Sequence, residues 1–139
     1  MAEVSINYLA VLVSAIVSMV IGALWYSPIL FGKLWMRLSG MSENKLKEVK
    51  AKGMTKSYVI AFIVTLVMSY VLAHFVDYTE ATTFALGMQT GFWIWLGFFA
   101  TTMLGMVLWE GKSVKFYLLN IIHYLVVLLV IGGMLAMWR

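Results

Sequence analysis

The sequence predicts an all-α integral membrane protein, a four-helix bundle with an interfacial amphipathic helix after the first span. Three observations carry this. Hydrophobic residues make up 63% of the 139-residue chain and charged ones 12%, against roughly 45–50% and about 25% in soluble domains. A soluble chain this short keeps too much of its volume near the surface to hide the surplus, so the surplus faces lipid. Next, four apolar runs at residues 6–26, 57–76, 84–109 and 116–138 are of the length that crosses a hydrocarbon layer, about 20 residues. Finally, seven of the ten basic residues fall between Lys33 and Lys56, where a topology-setting loop would lie. Residues 1–139 read as one membrane domain.

The first run begins after Glu3 with no basic leader and is longer than the apolar core of a secretory signal, which marks it as a span. Along it Ala10, Ser14, Ser18 and Gly22 recur every four residues, a smooth stripe on which another helix can approach closely. It ends in Trp25-Tyr26-Ser27-Pro28, around the chain's only proline. Trp and Tyr suit the headgroup level, and Ser followed by Pro reads as the start of a new helix. That helix carries Ile29, Leu30, Phe31, Leu34, Trp35 and Leu38 on one side and Lys33 and Arg37 on another, the pattern of a helix lying in the membrane surface. Ser39-Gly40 ends it. Ser42 then caps a polar, lysine-rich helix closed by Gly53. The second span leads through a short acidic linker, residues 77–83, to the third, which is longer than a straight crossing needs and calls for tilt or a bend. Gly87, Gly91, Gly97 and Gly105 punctuate that span as expected helix contacts or flex points. A six-residue turn, Glu110 to Lys115, precedes the fourth.

The Trp25-Tyr26-Ser27-Pro28 string, with Phe31-Gly32, Trp35, Asn7-Tyr8, Gly91 to Phe98, Asn120 and the Gly132-Gly133 to Trp138 ending, resembles a family of small bacterial membrane proteins catalogued as a domain of unknown function. The resemblance covers nearly the whole chain. It implies four helices in a membrane and no assigned activity.

Charge predicts orientation. Residues 33–56 and the Lys112/Lys115 turn hold nine basic residues, whereas the other side holds Arg139 against Glu3, Asp77 and Glu80. The positive-inside bias puts the basic loops in the cytoplasm and both termini outside the cell (inner) membrane. The partners expected are the lipid bilayer, with anionic headgroups at the lysine-rich loop, and a second copy or another membrane protein. The same charge distribution argues against nucleic acid.

Depth along the spans sorts the polar residues into two candidate clusters. The inner one comprises Tyr26, Ser27, Glu110, Asn120, His123 and Tyr124. The outer one comprises Asn7, His74, Asp77 and Gln89. Tyr70, His74 and Asp77 share a helical face, and an imidazole beside a carboxylate makes a pH-responsive pair. Asn120, His123 and Tyr124 lie too deep to snorkel and should face the bundle. They read first as a hydrogen-bonded clasp between the first and fourth helices, and second as a proton- or solute-handling pocket. The two histidines sit near opposite faces. With no cysteine and no His-x-x-x-His, the sequence offers no metal or cofactor site. Ser113, His123 and Glu110 are triad residue types without triad spacing, and the chain is expected not to be an enzyme. The leading function is association, as a homo-oligomer or accessory subunit. The alternative is a small-solute or proton transporter or channel, formed by a dimer around a shared pathway.

Overall fold

Residues 3–139 are described by a computed structural model. They form helices α1 (Tyr8–Trp25), α2 (Gly32–Ser39), α3 (Glu43–Ala51), α4 (Thr55–Tyr78), α5 (Phe84–Ile94), α6 (Gly105–Leu108) and α7 (Val114–Met137). No strand is present among them. A π-helical turn, Trp95–Ala100, and a 3₁₀ turn, Thr102–Leu104, join α5 to α6. Four helical stretches are long and apolar enough to cross a membrane: α1, α4, Phe84–Leu108 and α7. At about 1.5 Å per residue, the 24 residues of α4 and of α7 reach beyond the ~30 Å hydrocarbon layer. This is a multi-pass membrane protein.

The helix starts follow from local chemistry. The side-chain oxygens of Asn7, Ser42, Thr83 and Ser113 each accept a hydrogen bond from the backbone N–H three residues on, satisfying one of the orphan donors of a first turn. Gly40 and Gly53, at φ 75° and 89°, close α2 and α3 in the left-handed region. The start of α2 departs from the sequence expectation. Ser27 does not cap it: its hydroxyl donates back to the Leu24 carbonyl at 2.7 Å. The Ser27 carbonyl accepts from Leu30 and Gly32, so residues 27–31 form a corner and the helix starts at Gly32. On α2, Lys33 and Arg37 are exposed while Leu34, Trp35 and Leu38 are half-buried, and the helix rests against α7.

Helix α7 is the hub. Half of its apolar window is buried, against 6% for the third span, and it touches α1, α2, α4 and α5. Its contact with α5 rests on missing side chains. A β-carbon at Gly87 would run into the Gly132 carbonyl, and one at Gly91 into the Leu128 carbonyl. A β-carbon at Gly133 would meet the Phe84 ring. Outside a membrane such helices would gain by hiding apolar surface; in lipid the gain comes from close packing, which glycine permits. On α1, Ala10, Ser14 and Ser18 are buried together with Val11 and Ala15, so the small-residue stripe faces α4 and α7.

The third span, expected over residues 84–109 with tilt or a bend, is interrupted by turns rather than wound as one α-helix. Its length is taken up by the π and 3₁₀ turns. The backbone carbonyls loosened there are taken by side chains: Thr101 donates to Gly97, Thr102 to Phe98, and Tyr117 of α7 to Ala100. In hydrocarbon an unwound carbonyl has no water to turn to, and hydroxyls supply the substitute. Within the chain Gly97 and Gly105 pack closely on no other helix and lie at the turns. A β-carbon at Gly97 meets nothing within 4 Å, and one at Gly105 meets only the Trp109 ring of the same span.

The two kinds of glycine should respond differently. Gly87→Ala forces α5 off the α7 backbone and should cost about 1–3 kcal/mol, the usual range for overpacking. Gly97→Ala should stay within about 1 kcal/mol of the parent. Unfolding by SDS titration in mixed micelles measures both, and equal losses would disprove the assignment of contacts.

Candidate functional site

The site grows from the end of α1. Trp25 and Tyr26 are the last residues before the corner, and both are tied to α7. The Trp25 indole N–H donates to the Leu119 carbonyl at 3.2 Å. The Tyr26 hydroxyl donates to Asn120 Oδ1 at 2.7 Å, and Asn120 Nδ2 donates to the Phe116 carbonyl at 2.8 Å. On the other side of α7, Trp95 Nε1 in the π turn donates to the Ile121 carbonyl at 2.6 Å. Two indoles thus bracket the turn of α7 that carries Asn120 and His123. Each bond uses a spare carbonyl lone pair that an apolar neighbour would leave idle.

His123 lies one turn beyond Asn120 and is 8% exposed. Its ring is surrounded by Tyr124, Tyr26 and Trp25, with centroids at 4.8, 5.1 and 6.1 Å. Neither Nδ1 nor Nε2 has a hydrogen-bond partner. Buried polar side chains are bonded in the great majority of cases; this ring is an exception, as are the Ser14 hydroxyl of α1 and the Ser69 hydroxyl of α4. Gly22 faces it across the helix interface, and a β-carbon there would stand 3.4 Å from Nε2.

Beside the ring α1 and α4 stand apart. They leave a cavity of about 800 Å³, lined by Ser18, Met19, Gly22 and Tyr26 from α1, by Tyr58, Phe62, Thr65 and Met68 from α4, and by His123, Tyr124 and Val127 from α7. Thr65 spans part of the gap: its hydroxyl donates to the Ala61 carbonyl at 2.7 Å and lies 3.7 Å from Met19 Sδ.

The structure therefore brings Tyr26, Asn120, His123 and Tyr124 together and leaves two expected members out. Ser27 is turned back on α1, as described. Glu110 is exposed and lines a separate recess with Thr102, Met106 and Trp109. Ser113 caps α7 through the Phe116 N–H at 3.1 Å, ten residues or about 15 Å of helix from His123, so no triad forms.

The four residues of the expected outer cluster are engaged separately. Asn7 is spent on the cap of α1, accepting from the Ala10 N–H at 3.2 Å. Asp77 does not serve His74; it pairs with Arg139 at 3.2 Å. The Arg139 guanidinium also donates to the Val76 and Ala81 carbonyls at 3.0 and 2.8 Å, fastening the end of the chain over the end of α4. His74 places Nδ1 2.9 Å from the Tyr70 carbonyl of its own helix, against the Tyr70 ring at 4.6 Å. Gln89 is exposed, beside a groove with Thr79 and Thr90, whose hydroxyls meet at 2.9 Å. Among the described residues no three His, Asp and Glu side chains gather as metal ligands would.

Sequence reasoning missed the indole donors, the Arg139 fastening and the α4 wall of the cavity. The wall had a signal: Tyr58, Thr65 and Ser69, at spacings of seven and four, put a polar line on one face of an otherwise apolar helix.

Neither the comparison with curated proteins nor the comparison with solved structures gives a match. One family does match, over residues 9–136, and its description is "Protein of unknown function (DUF1761)". That match takes in all four spans, the corner after α1 and the glycine faces of α5 and α7: the chain belongs to the DUF1761 family.

Proposed function

We propose that this membrane protein handles a small molecule, binding or passing it, and that the cavity beside His123 is where it does so. The observation that carries the reading is the pairing of an 800 Å³ cavity with a buried imidazole whose two nitrogens are unpartnered. A histidine kept only for structure would repay its burial with hydrogen bonds. An ionisable side chain held inside a span without a partner marks a site of use. The cavity volume falls in the range of small-molecule sites, about 300–1,000 Å³. Reaction chemistry forms no part of this reading, since no carboxylate lines the cavity to orient the ring as a base.

Orientation completes the proposal. The basic loops, with α3 and its exposed lysines, belong on the cytoplasmic side, near anionic headgroups, and both chain termini on the other.

A second reading, association between copies, is favoured by the third span. Gly97 opens outward with space around it, and Thr101, four residues on, is exposed on the same stretch. Small residues at this spacing admit a second helix. Gly97→Cys in this cysteine-free chain should then give a disulfide-linked dimer in native membranes on mild oxidation, and purely monomeric protein would remove this reading.

Stability separates the cavity reading from a structural clasp. Asn120→Leu strands the Tyr26 hydroxyl and should cost about 1–3 kcal/mol. His123→Leu breaks no bond and should cost less than about 1 kcal/mol, while lowering ligand binding or flux in proteoliposomes about tenfold. If unfolding in bilayers showed equal losses for the two variants, His123 would be a structural residue and the cavity reading would fail.

Orientation has its own test. A cysteine at Lys47 should resist an impermeant thiol reagent in intact cells, and one at Thr79 should react. The reverse pattern would invert the topology.

A further inference from the structure

We propose that the His123 cavity is filled sideways from the bilayer, by a lipid-soluble molecule with one compact, uncharged hydrogen-bonding head, a hydroxyl, and an apolar body. This rests on the cavity reading above and specifies its ligand.

The mouth comes first. The cavity lies between two membrane-spanning helices, and its rim is made by Ile16 and Val20 of α1 and Tyr58 of α4, 47%, 52% and 60% exposed. These side chains lie on the faces that spanning helices turn to hydrocarbon. A molecule dissolved in the acyl-chain region therefore reaches the cavity without crossing a polar surface.

The interior fits the same chemistry. Met19, Phe62, Met68 and Val127 form apolar walls. Among the lining residues there is no Lys, Arg, Asp or Glu, so a charged solute would lose its hydration and find no counter-ion. The polar atoms are hydroxyls and one imidazole. Of these, Tyr26 has already given its proton to Asn120 and Thr65 has given its own to Ala61. The Tyr58 and Tyr124 hydroxyls stand on the same lining, and His123 is the lining residue whose polar atoms are both fully buried and unpartnered. A neutral imidazole offers one donor and one acceptor, and a hydroxyl head answers either, whichever nitrogen carries the proton.

The wall between the cavity and the ring is thinnest at a glycine. The α-carbon of Gly22 borders the cavity, and a methyl group there would lie 3.4 Å from Nε2, where a hydrogen-bonding partner would sit. Glycine in the last turns of a spanning helix costs helix stability; at this position it leaves no side chain between the cavity and Nε2, which is itself closed off in this structure and is met by a small turn of the ring.

The test uses the full chain in proteoliposomes. A decanol carrying a photoreactive diazirine should label the Met19–Ala23 and Ala61–Thr65 segments saturably, and the matching decane, which has no head, should not. Gly22→Ala adds only a contact of ordinary length and favours the helix; it should lower saturable labelling about tenfold, as should His123→Leu, the factor that one lost hydrogen bond of common strength carries. Saturable labelling equal for decane and decanol, or unchanged in both variants, would overturn the proposal. Carbethoxylation of His123 by diethyl pyrocarbonate, read by peptide mass, separates this proposal from the reading beneath it. Protection by decanol and not by glycerol supports a bilayer-derived ligand. Protection by glycerol alone would overturn that ligand and leave the cavity as a site for a water-soluble one. Protection by neither would remove both.

Discussion

In hydrocarbon a polar group that lacks a partner inside the protein has no partner at all. Much of this structure can be understood as a response to that constraint. Side-chain caps begin α1, α3, α5 and α7. Threonines and a tyrosine take the carbonyls that the π and 3₁₀ turns loosen. Two tryptophans spend their indole protons on the α7 backbone, and Asn120 uses both ends of its amide. Against that background the bare nitrogens of His123 stand out, as the only ionisable group among the buried polar side chains left without a partner in the described residues, the others being the Ser14 and Ser69 hydroxyls.

The constraint also explains why the bundle is centred on α7. Apolar side chains gain little by leaving lipid for other apolar side chains, so close backbone approach decides which helices stay together. Gly87, Gly91 and Gly132 supply it between α5 and α7, and Ala10, Ser14 and Ser18 supply it on α1. Helix α4 has fewer such residues: Ser69, Leu72, Ala73 and Val76, all in its second half, are its buried ones. It is held near the chain termini and stands away at the basic end, and the cavity is the space that results.

The fold class was legible because membrane spans announce themselves by length and composition, and the small-residue stripe on α1 by its spacing. Side-chain partners were much less so. Asp77 and His74 share a helical face, yet Asp77 is taken by Arg139 from the far end of the sequence. Glu110 lies near the right depth but on an exposed loop. Ser27 and Pro28 carry the residue types of a helix start, but the local turn spends the Ser27 hydroxyl on the helix behind it. Tyr26 and Asn120 could be placed at a common level, since depth follows from counting. That His123 would be left without a partner could not be counted; it depends on how far α4 stands from α1, which no local pattern records.

The widened winding of the third span has a consequence for angular phase. Gly105 follows Gly87 by 18 residues, five turns at 3.6 residues each, so an unbroken α-helix would aim both at α7 as one continuous seam. The six-residue π turn and the 3₁₀ turn after it put the two out of phase, and Gly105 looks at Trp109 instead. The seam therefore stops after Gly91. From Phe116 to Tyr124, α7 is met by rings and amides rather than by bare backbone, and that stretch holds the polar residues.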